Sequence, residues 1–405
     1  MKIQPAHRVN AVEEYYFSRK LEQIRQMNQE GIQVINLGIG NPDLPPSSPT
    51  IEKLIESSRK ANTHGYQSYI GIPALRQGFA NLYSKHFTVE LNPANEILPL
   101  MGSKEGVMHI SMAFLNPGDA VLVPNPGYPA YASATKIAGG EVVYYDLMAE
   151  NKWQPDFESL ERMDLTHVKL MWVNYPNMPT GARATMALFE RLIAFGRKHQ
   201  ILICNDNPYS FIQNDEQLSI LAVEGAKDVA LELNSMSKSH NMAGWRIGMV
   251  AGRAEFIQYI LRIKSNMDSG MFLPLQEAAA VALECSDDWY EEINKQYTER
   301  RKIACAIFDH LGCKYDNNQV GMFLWGSVPV KSGSAEDLTD ALLQLARVFI
   351  TPGLIFGSNG NQFVRISLCT NEEMLKEALW RLKTVYAPVR FSQMEQKIAI
   401  LIIGN

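Results

Sequence analysis

The stretch Ser235-Met236-Ser237-Lys238-Ser239-His240-Asn241-Met242-Ala243-Gly244-Trp245-Arg246-Ile247-Gly248 decides how the chain is read. A lysine stands among small hydroxyl residues, and an arginine follows it. Val229 to Leu233 before the stretch and Ile247 to Ala251 at its end are short apolar runs, the pattern of buried strands. A lysine on a loop between two buried strands is placed as an amine nucleophile toward a carbonyl. A guanidinium with neighbouring hydroxyls suits a phosphate, because the arginine fork matches two phosphate oxygens at once. An amine beside a phosphate cradle points to pyridoxal phosphate, which joins lysine as a Schiff base. Motifs of this length recur by chance, so the reading needs support from the rest of the chain.

Outward from this stretch, apolar runs alternate with helical patterns. Strands are expected at Leu98 to Met101, Asp119 to Val123, 141–145, 168–173, 201–204, 229–233 and 247–251, with helices between most of them, notably 185–198. That alternation implies a mostly parallel sheet with crossover helices, an α/β fold. Ligands of such sheets bind outside the carboxyl ends of the strands, and the segments there carry chemistry. Gly102-Ser103-Lys104-Glu105-Gly106 opens a helix running to Phe114, whose free N–H groups suit a phosphate. Pro124-Asn125-Pro126-Gly127-Tyr128-Pro129, Asn174-Tyr175-Pro176-Asn177-Met178-Pro179-Thr180-Gly181 and Asn205-Asp206-Asn207-Pro208-Tyr209 each follow a strand.

Toward the N-terminus, a helix is expected over 12–30 and a strand at 34–37. The strand leads into Gly38-Ile39-Gly40-Asn41-Pro42-Asp43. The G-x-G is not a dinucleotide fingerprint, since aspartate stands where its third glycine belongs and Pro42 disrupts the required turn into a helix. Tyr66 to Arg76 reads as a loop entering a helix, with Pro73 near its first turn. Beyond Leu275 the pattern changes to long helical segments over roughly 272–311. Shorter elements follow at 320–326, 335–347, 349–351, 363–368 and 371–385, an α+β pattern expected of a second, smaller domain. Phe363-Val364-Arg365-Ile366-Ser367 sets one arginine inside an apolar strand, where its charge needs a partner. The run 398–403 reads as a strand or a sticky end.

The composition bounds the function. The chain has 405 residues, 46% hydrophobic and 20% charged, with a net charge of −5, an ordinary globular balance that excludes a nucleic-acid or anionic-membrane partner. There is no apolar stretch of a signal peptide or membrane span, and five scattered cysteines without a C-x-x-C pair read as reduced thiols; the expected location is the cytoplasm. The eight histidines form no H-x-H or H-x-x-x-H pair, so no catalytic metal is expected.

Together these stretches resemble the class I/II aminotransferases of the fold-type I pyridoxal phosphate enzymes, over about residues 12 to 385. Lys238 matches the Schiff-base lysine; Ser235, Arg246 and, as a helper, Ser237 match phosphate ligands, and Ser103 and Lys104 the helix-start phosphate site. Tyr128 is similar to the aromatic residue stacked on the pyridine ring, Asp206 to the carboxylate paired with the ring nitrogen, and Tyr209 to the hydroxyl at the phenolic oxygen. Tyr66 resembles the tyrosine that reaches the phosphate across a dimer interface. Arg365 matches the arginine that grips the substrate carboxylate, with Gly40 beside it. Lys238, Asp206 and Tyr128 are the catalytic set that the resemblance implies. One position departs: Met178 stands where the family has asparagine in Asn-Pro-Thr-Gly, and methionine cannot donate that hydrogen bond. Asn177, next to it, is the candidate substitute.

The resemblance implies a large domain with a seven-stranded, mostly parallel sheet between helices, and a smaller α+β domain built from both chain ends. The expected division is 1–45 as arm and part of the small domain, 46–285 as the large domain, 286–390 as the small domain and 391–405 as a tail. The implied function is ping-pong amino transfer between an L-amino acid and a 2-oxo acid in a homodimer. A β-elimination C–S lyase on the same scaffold is the alternative. A ligand-sensing regulator would need a DNA-binding domain, for which there is no room before Tyr16, and a decayed site would not keep Lys238, Asp206, Arg246 and Arg365. Acid-selective relatives use a further arginine, absent from Asp268-Ser269-Gly270-Met271-Phe272, which favours neutral or apolar amino acids such as alanine.

Overall fold

The structure is a computed structural model that describes residues 3–12 and 16–385. The run 398–403 and the tail 391–405 lie outside the described residues. A seven-stranded sheet runs in the order Ile97–Leu100, Gly248–Gly252, Ala230–Ser235, Leu202–Asp206, Val168–Val173, Ala120–Asn125, Glu141–Asp146. Gly248–Gly252 is antiparallel to both neighbours, and the remaining pairings are parallel.

The strand Val168–Val173 explains why helices cover both faces. Its residues alternate: Leu170 and Trp172 join one apolar cluster, Met171 and Val173 the other, as a period of two requires. One cluster takes Val107, Ile110, Ile257 and Ile260 from the helices Ser103–Phe114 and Ala254–Lys264. The other takes Phe79, Phe189, Leu192 and Ala279 from the helices Pro73–Phe87, Met186–His199 and Leu273–Ala282. Met186–His199 begins where expected because the Thr185 hydroxyl accepts the Leu188 amide at 3.1 Å, an N-cap worth roughly 1 kcal/mol.

A four-stranded antiparallel sheet, in the order Thr351–Pro352, Phe363–Ser367, Phe323–Ser327, Lys314–Tyr315, packs on the long helix Asp287–Leu311. Ile35–Asn36 pairs in parallel with Val348–Phe349, so a strand near the N-terminus is held by the C-terminal part of the chain.

Several expectations shift. The helix over 12–30 is found as Tyr16–Gln29. The helical stretch 272–311 is two helices, because Asp287 and Asp288 favour a fresh N-terminus after the break at 283–286. The run 349–351 divides between two sheets, Val348–Phe349 in one and Thr351–Pro352 in the other. Lys314–Tyr315, too short to give an alternating signal, was not expected as a strand. No helix of the described residues is long and apolar enough to cross a membrane.

Candidate active site

The strand directions bring the chemistry to one edge. Ile97–Leu100, Ala120–Asn125, Val168–Val173, Leu202–Asp206 and Ala230–Ser235 all end there. The reversed strand Gly248–Gly252 begins there. A cavity of about 340 Å³ opens at this edge, lined by Gly40, Ser103, Lys104, Tyr128, Met178, Asp206, Tyr209, Ser235, Ser237, Lys238, Arg246 and Arg365 among others. Eleven of the thirteen residues singled out by sequence therefore share one cavity; Met178, the departure, is there too.

Lys238 sits on the short helix Met236–Ser239, directly after a strand. Its amine donates to the Gly40 carbonyl at 2.5 Å. Burial lowers its pKa, and the Arg365 and Arg246 charges push the same way. Ser235 and Ser237 share a hydroxyl contact at 3.0 Å, and Arg246 donates to the Ser237 hydroxyl at 3.4 Å and to the Ala243 carbonyl at 3.0 Å. Arg246 adopts φ 58°, a left-handed conformation that costs of order 1 kcal/mol in a non-glycine residue and is kept where the surroundings hold it. Its guanidinium lies so close to Gly102, φ 82°, that a side chain there would collide with it. Ser103, the first residue of its helix, thus stands beside Arg246.

Asp206 ends its strand buried. Its Oδ2 accepts from the Tyr131 hydroxyl at 3.0 Å, while Oδ1 is buried without a hydrogen-bond partner. Burial raises this carboxyl to about 6, against the opposing pull of the Tyr131 and Ser103 hydroxyls. Tyr131 stacks on Trp172 at 5.0 Å and meets Tyr128 edge-on at 5.6 Å. Tyr131 escaped the sequence reading. The available signal was its spacing, one helical turn after Tyr128, which puts both on one face.

Arg365 is buried in the small sheet. It donates to the Gly38 carbonyl at 2.8 Å and to the Met178 sulfur at 3.2 Å. Its guanidinium lies 3.9 Å from the Phe323 ring and 4.7 Å from the Phe356 ring, a desolvated cation between aromatic faces.

Two singled-out residues lie elsewhere. Asn177 does not line the cavity: its side chain donates to the Asn174 carbonyl at 3.1 Å and accepts from the Thr180 hydroxyl at 2.6 Å, locking the turn. Asn174 is the cavity-lining asparagine, donating to the Asp206 carbonyl at 2.5 Å and accepting from the Met178 amide at 2.8 Å. Tyr66 is 95% exposed and outside the cavity.

Among the described residues one cluster has metal-ligand types, Glu105, His109 and Asp268. The Lys264 ammonium lies within it, 2.5 Å from Asp268 and 3.7 Å from Glu105, so these carboxylates already face a cation.

The chain matches the family described as aminotransferase class I and II over residues 32–382. The chain belongs to the class I and II aminotransferases. The LL-diaminopimelate aminotransferase of Nitratidesulfovibrio vulgaris is 39% identical over 380 residues, 93% of this chain and 98% of that one. The LL-diaminopimelate aminotransferase of Moorella thermoacetica is 38% identical over 391 residues, 96% of this chain and 100% of that one. The substrate-bound BacF structure from Bacillus subtilis superposes with a TM-score of 0.89 at 36% identity, covering 95% of this chain and 98% of that one. The aminotransferase is therefore a pyridoxal-phosphate-dependent enzyme, and its residues fit the cofactor. The unpartnered, buried Asp206 oxygen suits a protonated ring nitrogen. The hydroxyls and guanidinium around Gly102 suit a phosphate.

Proposed function

We propose that the enzyme moves an amino group from an L-α-amino acid to a 2-oxo acid by a ping-pong scheme, with Lys238 as its covalent anchor and proton carrier. The observation that carries this reading is one cavity holding a buried amine, a buried carboxylate with an unsatisfied oxygen, one guanidinium from a strand of the small sheet and another from the segment between two strands of the large sheet. Bound pyridoxal phosphate supplies the sink for electrons from the substrate α-carbon. In this reading Asp206 keeps a proton on the ring nitrogen, with Tyr131 holding its other oxygen. Lys238, its pKa lowered by burial, moves the proton at the α-carbon. Tyr128 would back the ring, Tyr209 would meet the phenolic oxygen, and Ser103, Lys104, Ser235, Ser237 and Arg246 would hold the phosphate. Asn177 acts through the turn it locks. Arg365, with Gly40 nearby, takes the substrate carboxylate.

This assignment separates two arginines. Arg365→Lys keeps the charge but loses the fork. It is expected to raise KM for the amino donor about tenfold or more, roughly 1.4 kcal/mol, with cofactor retained through gel filtration. Arg246→Ala is expected to do the reverse and release cofactor. Release of cofactor by Arg365→Lys at unchanged KM would mean the roles are exchanged.

The substrate side of the cavity favours a neutral or apolar amino acid such as alanine, since Leu21, Ile39, Met178, Phe323 and Phe356 line it. LL-diaminopimelate is the second reading, favoured by the names of the relatives reported above, which would place the enzyme in amino-acid biosynthesis. A screen of amino donors against oxo-acid acceptors separates the two: turnover of LL-diaminopimelate above alanine, leucine and phenylalanine would overturn the apolar preference, and no transfer from any donor would overturn the activity.

Met178 tunes the site by what it lacks. An asparagine there would donate a hydrogen bond toward the phenolic oxygen. Met178→Asn is therefore expected to lower the pH at which the cofactor's visible band titrates, each unit corresponding to about 1.4 kcal/mol. An unchanged midpoint would assign that bond to Tyr209 alone.

The functional unit in this reading is a homodimer in the cytoplasm, with exposed Tyr66 reaching the neighbour's phosphate. Light scattering at assay concentration is expected to give twice the chain mass of 45.5 kDa, and full activity from a single chain would end the idea. The division at 1–45, 46–285 and 286–390 is supported by the seven-stranded sheet lying within 97–252 and the four-stranded sheet within 314–367.

A further inference from the structure

We infer that Arg300 and Asp43 form a positioning pair for binding of the substrate carboxylate, an inference that rests on the role proposed for Arg365. Arg300 lies on the helix Asp287–Leu311 and is 4% exposed. Its two terminal nitrogens meet the two oxygens of Asp43 at 2.7 and 2.9 Å, a fork-to-fork pair. One of those nitrogens also donates to the Leu368 carbonyl at 3.0 Å. A single guanidinium thus ties the loop containing Asp43 to the end of the strand containing Arg365.

That loop touches both working cations. The Gly38 carbonyl accepts from Arg365 at 2.8 Å and from the Thr351 hydroxyl at 3.1 Å. The Gly40 carbonyl accepts from Lys238 at 2.5 Å, and the Pro45 carbonyl from Asn241 at 3.2 Å. Gly40 also packs against Phe323 too closely for any side chain, so the loop cannot slide without disturbing the ring under Arg365. Segment 38–45 is fixed at one end by backbone pairing, Leu37 to Phe349 and Ser367 to Leu37, both 2.8 Å. Beyond Gly40 the Asp43 pair ties it to the small-sheet side. Without that pair, the Gly38 carbonyl loses its register and Arg365 its orientation, while Lys238 keeps its place on the helix Met236–Ser239. Arg300 touches neither cofactor nor substrate in this scheme; it acts through the loop.

The test uses holoenzyme carrying Arg300→Lys, Asp43→Asn or, as the reference, Arg365→Lys. Lysine keeps the charge at 300 but cannot make the two parallel bonds and the third to Leu368. Both Arg300→Lys and Asp43→Asn are expected to raise KM for the amino donor about tenfold. They should leave kcat within about threefold and the bound-cofactor absorbance unchanged, since a packing defect alone would not split KM from kcat. Calorimetry with 3-phenylpropionate, a carboxylate without an amine, is expected to give a Kd raised by the same factor. If Arg300→Lys does not fold, Asp43→Asn decides, because it leaves the bond to Leu368 in place. Unchanged KM and Kd in the Asp43 and Arg300 variants, with both raised in Arg365→Lys, would overturn the pair alone. Unchanged values in all three would overturn the role of Arg365 as well.

Discussion

Lys238→Ala is expected to lower kcat by at least about 10⁴-fold, since in the proposed scheme it removes a covalent anchor and a general base together. The loss comes without unfolding: the side chain's hydrogen bond is to the Gly40 carbonyl, and the surrounding helix is held by Ser235 and the strand before it. Borohydride reduction followed by peptide mapping checks the assignment directly. Cofactor should be fixed to Lys238 in the wild type and to no lysine in the variant. Fixation on Lys104, the other lysine lining the cavity, would sink it.

Asp206→Asn is expected to cost about 10²–10³ in kcat, the scale for losing one preorganised electrostatic group, and to change stability in the opposite direction. Burial raises the Asp206 carboxyl from the ordinary aspartate value of 3.8 to about 6. Between those values the folded apoprotein binds more protons than the unfolded chain, so its stability falls as pH rises through that window. The penalty is absent below about pH 4 and reaches on the order of 3 kcal/mol above pH 6. Asparagine carries no charge to desolvate and can still accept from Tyr131. Apo Asp206→Asn should therefore unfold at higher urea than apo wild type at pH 8, with the gap closing at pH 4. Equal midpoints at pH 8 would show that the carboxylate is not penalised.

The fold was legible where periodicity was long. Strand Val168–Val173 was readable to the residue, because only Lys169 interrupts its apolar run, and the helix that ends at Phe114 was readable from the glycine-serine pair before it. Elements of two residues, such as Lys314–Tyr315, carry no period to read. In the site, Lys238, Asp206 and Arg246 could be placed together from the sequence because Asp206 ends a strand, Lys238 follows one and Arg246 precedes one, and these strand termini share an edge. Asn177 stays out of the cavity lining for a physical reason: neighbouring side chains in a turn point apart, and here the turn's own hydroxyl, Thr180, donates to the Asn177 amide oxygen. Tyr131 was hidden because a tyrosine in an apolar helix looks like packing until its hydroxyl is found on Asp206. The Arg300–Asp43 pair spans residues far apart in sequence, and only the fold brings them together.

The reversed strand also sets the order of assembly. Ile97–Leu100 lies at the margin of the large sheet and pairs with Gly248–Gly252, some 150 residues later in the chain. Contacts of such long sequence separation form slowly, because chain entropy is spent before any pairing rewards it. During synthesis, the earlier parallel strands can pair as they emerge, while Ile97–Leu100 waits for a partner not yet made. Ser103 opens the helix that follows that waiting strand, and Arg246 precedes the one it waits for. A nascent chain that stops short of residue 248 lacks the strand that joins Ile97–Leu100 to Ala230–Ser235, so the helix that Ser103 opens and the segment that carries Arg246 are brought together only once Gly248–Gly252 is made.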